Sequence, residues 1–375
     1  MAPPDLPAGE VAPRESRHLD ILKLAIALGV GKIVVLVAVY VARAVPDFLY
    51  LMSTRWDAAW FVTIANWGYT ARGVLVYSPT SHTALYPSAF AFSPFYPYSI
   101  HAVSALVGPA WVSALLIANV LSFLVPIVAY EAFGFKAALM LELFPTYLVY
   151  TTIPYSEALT LLFLTLAVLF ALRGKLLASS ASISLAVFAA YTTAWMLPSF
   201  AIAFWRRIRW KTLLFFALPA LTGVLILGWL QKTAGSYTFF FTVESLRWHV
   251  AIGYPWDQAA WLLQRDAVPF WPFAGTWVTR NLPFEAFYII GAALLLKARR
   301  GDHVFLSVFS FSAILPLFFV LGGPGEAIPR LLLPAFPIFA AYADRFGRRL
   351  LPGYAIVCLL LAVWAATSQT LGFFS

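Results

Sequence analysis

Charge is what this sequence has least of. Of its 375 residues only 11% are Asp, Glu, Lys or Arg, whereas soluble domains carry about 25%. That shortage, with 62% hydrophobic residues and a mean hydropathy of +0.83, excludes an ordinary water-soluble enzyme. It equally excludes a disordered or fibrous chain. The one cysteine, Cys358, sits inside an apolar run, which rules out an internal disulfide and a thiolate metal cluster. Asn and Gln number only 3 and 4, a scarcity that points to a heat-adapted source. There is no nucleotide-binding glycine loop and no Asp-x-Asp pair, so an ATP or nucleotide-sugar site is not expected. Nor is there a visible internal repeat of the kind that marks inverted-repeat transporters. The five histidines, His18, His82, His101, His249 and His303, show no metal-ligand spacing.

What is present is a series of apolar runs separated by short basic clusters. The net charge of +9 comes from 25 Lys and Arg against 16 Asp and Glu. Its distribution between the runs orients helices in a bilayer and does not suggest nucleic acid. The expected fold class is an all-α polytopic membrane protein. Residues 1–20 are Pro-rich and polar, without the features of a signal peptide, and read as a cytoplasmic tail. Residues 21–375 read as one transmembrane domain. Its first span is expected at 21–41, and further runs lie at 111–131, 135–153, 156–172, 212–231, 284–298, 303–321, 331–343 and 353–371. Arg173 with Lys175, the WRRIRWK run at 205–211, Lys297 with Arg299 and Arg300, and Arg345 with Arg348 and Arg349 are assigned to the cytoplasm. Two of these clusters flank 181–204. Those roughly 24 residues are too few for two full crossings and read as two short, half-inserted helices. The count is then about eleven membrane helices, two of them short, with an inside N-terminus and an outside C-terminus. The large loops 42–110 and 232–283 fall on the outer face, as do most acids not beside a basic cluster.

Those outer acids are where chemistry is expected, because carboxylates gathered on one side of a membrane protein mark a site there. In RWDAAWFVTIANWGY, 55–69, Asp57 precedes Trp60, Phe61, Ile64 and Trp67 at helical spacing, which predicts an amphipathic helix along the outer surface. Asp57 there reads either as the helix N-cap or as a catalytic carboxylate. FAFSPFYPYSI, 90–100, taken alone reads as an interfacial aromatic belt. In LFPTYLVYTTIPYSEALTLLF, 143–163, Glu157 stands at the outer mouth of an apolar helix pair, either as a functional acid or as a first-turn acid favoured by the helix dipole. Glu326 and Arg330 flank the outer end of RLLLPAFPIFAAYA. Arg330 reads as an interface anchor or as a bidentate phosphate ligand, and Arg280 and Arg247 are alternatives.

Taken in order, RWDAAWFVTIANWGY, FAFSPFYPYSI, FPTYLVYTTIPYSEALTLLF and PRLLLPAFPIF resemble the PIG-V family, the polytopic mannosyltransferases that add the second mannose during glycosylphosphatidylinositol anchor assembly. The resemblance is strongest in the first half of the chain. It implies a GT-C glycosyltransferase fold, a lipid-linked sugar donor and an active-site acid in the first outer loop, here Asp57. Where family members carry an Arg in a Thr-Arg pair this sequence has Thr193, so the contact that Arg makes is not expected. The chain is short for a eukaryotic member and lacks an Asn-x-Ser/Thr sequon, which points to a prokaryotic, archaeal relative.

The expected reaction follows from the outer position of the site, out of reach of cytoplasmic nucleotide sugars. A polyprenyl or dolichyl phosphate would bring mannose or a related hexose to a glycolipid or cell-surface glycan acceptor, at the outer face of a prokaryotic plasma membrane. Such a transfer needs a base for the acceptor hydroxyl and a cradle for the departing phosphate. Asp57 is the expected base. Arg330, then Arg280 and Arg55, are the expected cradle, with Trp56, Tyr155, Ser156, Glu157 and Glu326 positioning substrate. No second carboxylate pairs with Asp57 as a nucleophile, so a single displacement with inversion is expected. No protein metal site or cofactor is assigned, and a divalent cation on the phosphate is left open. The competing reading is a secondary transporter or lipid flippase, whose coupling carboxylates would sit near the bilayer midplane.

Overall fold

The computed structural model describes residues 14–43, 47–69, 88–205, 211–247, 250–257, 260, 277–298, 302–321 and 327–370. In chain order the helices are α1 (Arg14–Arg43), α2 (Phe48–Ser53), α3 (Trp56–Trp67), α4 (Phe95–Val107), α5 (Ala110–Phe133), α6 (Phe135–Glu142), α7 (Pro145–Thr152), α8 (Glu157–Leu172), α9 (Leu176–Ala189), α10 (Leu197–Trp205), α11 (Lys211–Ala234), α12 (Phe239–Arg247), α13 (Trp277–Leu296), α14 (His303–Ile314), α15 (Ile328–Leu331), α16 (Ile338–Arg345) and α17 (Leu351–Thr370). A short antiparallel pair, β1 (Ala251–Ile252) and β2 (Val320–Leu321), sets Ala251 opposite Leu321. Stretches within α1, α5 and α11 are long and apolar enough to cross a membrane, and α8, α9, α13, α14 and α17 contribute shorter apolar helices.

Most of these helices are apolar on every side, as membrane helices must be. On α1, Leu24, Leu28, Val35 and Val39 are buried against protein, while Leu22, Ile26, Val30, Ile33 and Val37 are exposed and suited to lipid. The helix starts at Arg14, inside the stretch read as tail, and Arg17 near that start pairs with Glu131. At the centre, α8 packs against α5 and α9 and buries Leu159, Leu161, Leu164 and Val168. The short pair expected in 181–204 corresponds to α9 and α10, joined by a 3-10 turn at Tyr191–Met196.

Three expectations about elements change. The run 135–153 is broken into α6 and α7, because Pro145 offers no amide hydrogen to the preceding turn and drives Phe144 into extended geometry (ψ 136°). Pro334 and Pro337 likewise break the run 331–343 into α15, a 3-10 turn at Leu333–Ala335 and α16. The stretch 42–110, read as an outer-face loop, contains α2, α3 and α4, with 44–46 and 70–87 outside the described residues. α3 itself does not lie on a surface. Ala58, Ala59, Trp60, Phe61, Val62, Ile64 and Ala65 are all buried, since Phe61 meets Tyr96 of α4 (4.9 Å) and Trp60 stacks on Phe92 (5.9 Å).

Hydroxyl groups and small residues join the helices. Ser179 donates to the Ala167 carbonyl (2.8 Å), Ser307 to Ala292 (2.7 Å), Tyr147 to Ser122 (2.6 Å) and Tyr354 to Met140 (2.6 Å). In an interior without water such hydroxyls must find a carbonyl, and helical carbonyls have a spare lone pair. At one end of the bundle Glu131 holds both Arg17 (2.5 Å) and Arg173 (2.8 Å), and Lys136 donates to the Ala343 carbonyl at the close of α16 (2.7 Å). These residues mark the end opposite to Asp57, Glu157 and Arg330.

Gly291 fixes the approach of α13 to α16. A Cβ at that position would lie 2.7 Å from Cβ of Ile338 and 2.9 Å from Cε2 of Tyr342, neither of which can swing away cheaply. Gly291→Val is therefore expected to destabilise the protein by about 1–3 kcal/mol. Thermal unfolding in lipid nanodiscs measures this, and an unchanged midpoint would show that the contact is loose.

Candidate active site

Three distant segments meet at one end of the bundle. Arg55 precedes α3 in extended geometry, and Trp56, the first residue of the helix, has φ +52°. A bulky side chain rarely adopts that conformation, and such strain concentrates at functional sites. The turn places Asp57 in the first turn of α3. It is not the N-cap, which is Arg55, and no side chain caps this helix. Pro145 starts α7, which ends at Thr152, and the chain then turns through Tyr155 and Ser156 into α8 at Glu157. The third segment is α15, started by Pro329 within its first turn, which carries Arg330.

Arg330 binds the other two segments together. Its Nη1 donates to Oδ2 of Asp57 at 2.5 Å, and its Nε lies 3.3 Å from Oε1 of Glu157. The three side chains retain 16%, 21% and 17% of their exposure, enough to meet a ligand and too little for water to screen the pairs fully. The guanidinium also lies over the rings of Tyr155 (5.0 Å) and Tyr150 (5.6 Å). Burial would lower the Arg330 pKa, but Asp57, Glu157 and the two tyrosines outweigh it, so the group is held firmly cationic. Arg330 thus lies between the two carboxylates. Among the described residues no three of His, Cys, Asp and Glu gather as a metal site.

Beside this cluster, sharing Tyr155 with it, runs an open groove. Val35 and Val39 of α1, Val149 and Ile153, and Ala366 of α17 form its apolar walls, and Arg55, Trp56 and Tyr155 stand at its polar end.

The architecture has counterparts among solved structures. ArnT from Cupriavidus metallidurans bound to undecaprenyl phosphate superposes with a TM-score of 0.51 and 15% identity, covering 93% of this chain and 75% of that one. The same protein in the apo state gives 0.48 and 15% identity over 80% of this chain, which spans about 60% of that one. No protein-family model and no curated protein matches the sequence. The chain shares the all-α polytopic fold of the structure bound to undecaprenyl phosphate, the GT-C fold. The likeness reaches that fold and does not extend to the PIG-V family.

Of the residues singled out in the sequence, Asp57, Arg330, Glu157 and Tyr155 come together at one end of this GT-C fold, with Arg55 and Trp56 at the groove beside them. Ser156 sits at the N-cap position of α8 without a side-chain capping bond. Thr193, in place of the family Arg, is buried and donates to the Ala190 carbonyl of its own turn (2.8 Å). The Arg280 backbone belongs to α13, but its side chain, like those of Arg247 and the whole of Glu326, His82 and His249, lies outside the described residues.

Tyr150 and Glu244 were not anticipated. Tyr150 was indistinguishable from the other aromatics of a rich stretch. Glu244, on α12 within the 232–283 loop, has its carboxyl pushed up to about 7, by burial first and then by the charge of Asp57. Helix α12 therefore brings a carboxyl within the field of Asp57.

Removing Arg330 leaves two partly buried acids without a cation. Arg330→Gln is expected to cost about 2–3 kcal/mol, the low end for breaking a buried pair because some exposure remains. Adding Asp57→Asn and Glu157→Gln should restore most of that loss in thermal unfolding, and equal loss in single and triple variants would show another cause. Glu244 gives a pH signature. With a folded pKa near 7 against 4.5 unfolded, its protonated form favours the native state. That stabilisation is complete below 4.5 and lost as pH rises through 7. Glu244→Gln should therefore flatten the midpoint-against-pH curve across this window, and an unchanged curve would place the titration elsewhere.

Proposed function

We propose that this chain is a membrane glycosyltransferase of PIG-V type. It moves mannose, or a related hexose, from polyprenyl or dolichyl phosphate to a lipid-linked or cell-surface glycan acceptor, at the outer face of a prokaryotic plasma membrane. Residues 21–375 act as one unit, with the catalytic acid in the 42–110 loop and the 232–283 loop covering the same side. One observation carries this reading: Asp57, Arg330 and Glu157 gather around Tyr155, which also lines an apolar groove beside them. A lipid-linked sugar has the matching chemistry, an anionic phosphate at the end of a hydrocarbon tail. The structural relative bound to undecaprenyl phosphate supports it, since a GT-C fold accommodates that ligand class.

On this reading the reaction begins with donor binding. A polyprenyl tail lies along Val35, Val39, Val149 and Ile153, removing apolar surface from lipid contact without exposing it to water. The donor phosphate draws the Arg330 guanidinium away from Asp57, because a phosphate offers the fork more oxygen acceptors than one carboxylate. Freed from its cation, Asp57 takes the proton of the acceptor hydroxyl. The hydroxyl oxygen attacks the anomeric carbon as the carbon–oxygen bond to the phosphate breaks. Arg330, with Arg55 beside the groove, neutralises the charge on the departing polyprenyl phosphate. Glu157 holds the other edge of Arg330, and Trp56, Tyr155 and Ser156 shape the sugar site. Arg280 is proposed as a further phosphate contact and Glu326 as a further substrate contact. With one carboxylate facing the anomeric carbon, the displacement inverts configuration.

A second reading draws on a different observation. Glu142 is fully buried at the α6–α7 break, and both of its oxygens lack a hydrogen-bond partner. A carboxyl at a broken helix suits a transporter or flippase. One assay separates the two. Purified protein in nanodiscs, given radiolabelled polyprenyl-phosphate mannose and candidate glycolipid acceptors, should transfer sugar. Asp57→Asn should lower the rate about a thousandfold or more while the protein stays folded. A glycosyl-enzyme or retained anomeric configuration would overturn the inversion, and turnover indifferent to Asp57 would overturn its role as base. Donor movement across the bilayer without transfer would favour the second reading.

A further inference from the structure

Lys32 lies midway along α1 with 5% of its surface exposed. Its Nζ donates to the Thr151 carbonyl at 2.6 Å and to Oδ1 of Asn119 at 2.9 Å. Asn119 in turn donates from Nδ2 to the Thr152 carbonyl at 3.1 Å and to Leu115 of its own helix at 2.9 Å. An ionisable side chain inside a span is costly, and a methionine would fill the same volume without that cost. Both acceptors of Lys32 are uncharged, so no salt bridge between them accounts for its presence.

What these two side chains hold is informative. Thr151 and Thr152 are the last residues of α7, where carbonyls run out of helical partners. The next residues are Ile153 in extended geometry, Pro154 without an amide hydrogen, Tyr155, Ser156 and Glu157. Tyr155 and Glu157 are two of the groups that hold Arg330. Gly31, the neighbour of Lys32, lets α1 sit close on α7: a Cβ there would lie 2.8 Å from Cδ2 of Leu148.

We propose that Lys32 and Asn119 form a clamp on the C-terminal carbonyls of α7 and so set where Tyr155 and Glu157 stand against Arg330. They are positioning residues, acting through the backbone of 151–157. Displacement of a reacting site by about 1 Å costs on the order of a hundredfold in rate, so a loose end to α7 is felt in turnover.

The activity arm of the test rests on the transferase reading, and a second arm does not. Wild type, Lys32→Met and Asn119→Ala, which leaves Lys32 its bond to Thr151, are compared in nanodiscs. The first readout is donor KM and kcat with polyprenyl-phosphate mannose. The second is amide hydrogen exchange in 155–157 against the interior of α8. Lys32→Met should lower kcat about 10–100-fold with donor KM shifted less than about threefold, and should speed exchange at 155–157 alone. Asn119→Ala should do the same to a smaller degree, and it decides the matter if Lys32→Met does not fold. A kcat within about twofold of wild type, unchanged exchange at 155–157, or faster exchange throughout the bundle would each overturn the clamp. If wild type transfers no sugar, the proposed function fails, and exchange alone decides the clamp.

Discussion

A single guanidinium does the joining on which this site depends. Asp57 and Arg330 are 273 positions apart, and Glu157 belongs to a third segment, yet Arg330 touches both acids and both nearby tyrosine rings. Two carboxylates this close would repel without the cation, and the cation would be costly to bury without them. Each element explains the others. Trp56 holds a strained backbone next to Asp57, and α15 is a single turn carrying Arg330, with Pro329 at its start and Pro334 just beyond its end.

Two solvents meet at this point. The groove beside the cluster is walled mostly by aliphatic side chains with Phe48 and Met52, while the cluster itself is charged and one-sixth to one-fifth exposed. In the proposed reaction, an amphiphile with an anionic head would meet both halves at once, its tail in the groove and its head at the guanidinium. In that same proposed reaction, an anion that takes the guanidinium over frees Asp57 to act as the base.

The scaffold achieves this precision through small groups. Serine hydroxyls bond across α8–α9 and α13–α14, and glycines let α1 approach α7 and α13 approach α16. Within a bilayer the hydrophobic effect does not distinguish one helix from another, so close backbone contact and interhelical hydrogen bonds decide the packing. The opposite end is fastened by charge, with Glu131 between Arg17 and Arg173.

The sequence by itself determined the all-α membrane class, since apolar runs and sparse charge leave no alternative, and the pair of short helices between two basic clusters. Asp57, Glu157, Arg330 and Tyr155 were also legible, because charges and polar aromatics stand out against an apolar background. Their mutual geometry was not. Whether Asp57 capped a helix or faced a cation depended on a contact across 273 residues, for which spacing along the chain carries no signal. The breaks at Pro145 and Pro334 were written in the sequence but hidden by hydropathy, which averages over a proline. Lys32 was visible as a lysine within the first span, and Glu244 as an acid within a loop. Only the tertiary structure decided that one holds the end of α7 and the other feels Asp57, because burial and proximity are properties of the packed chain.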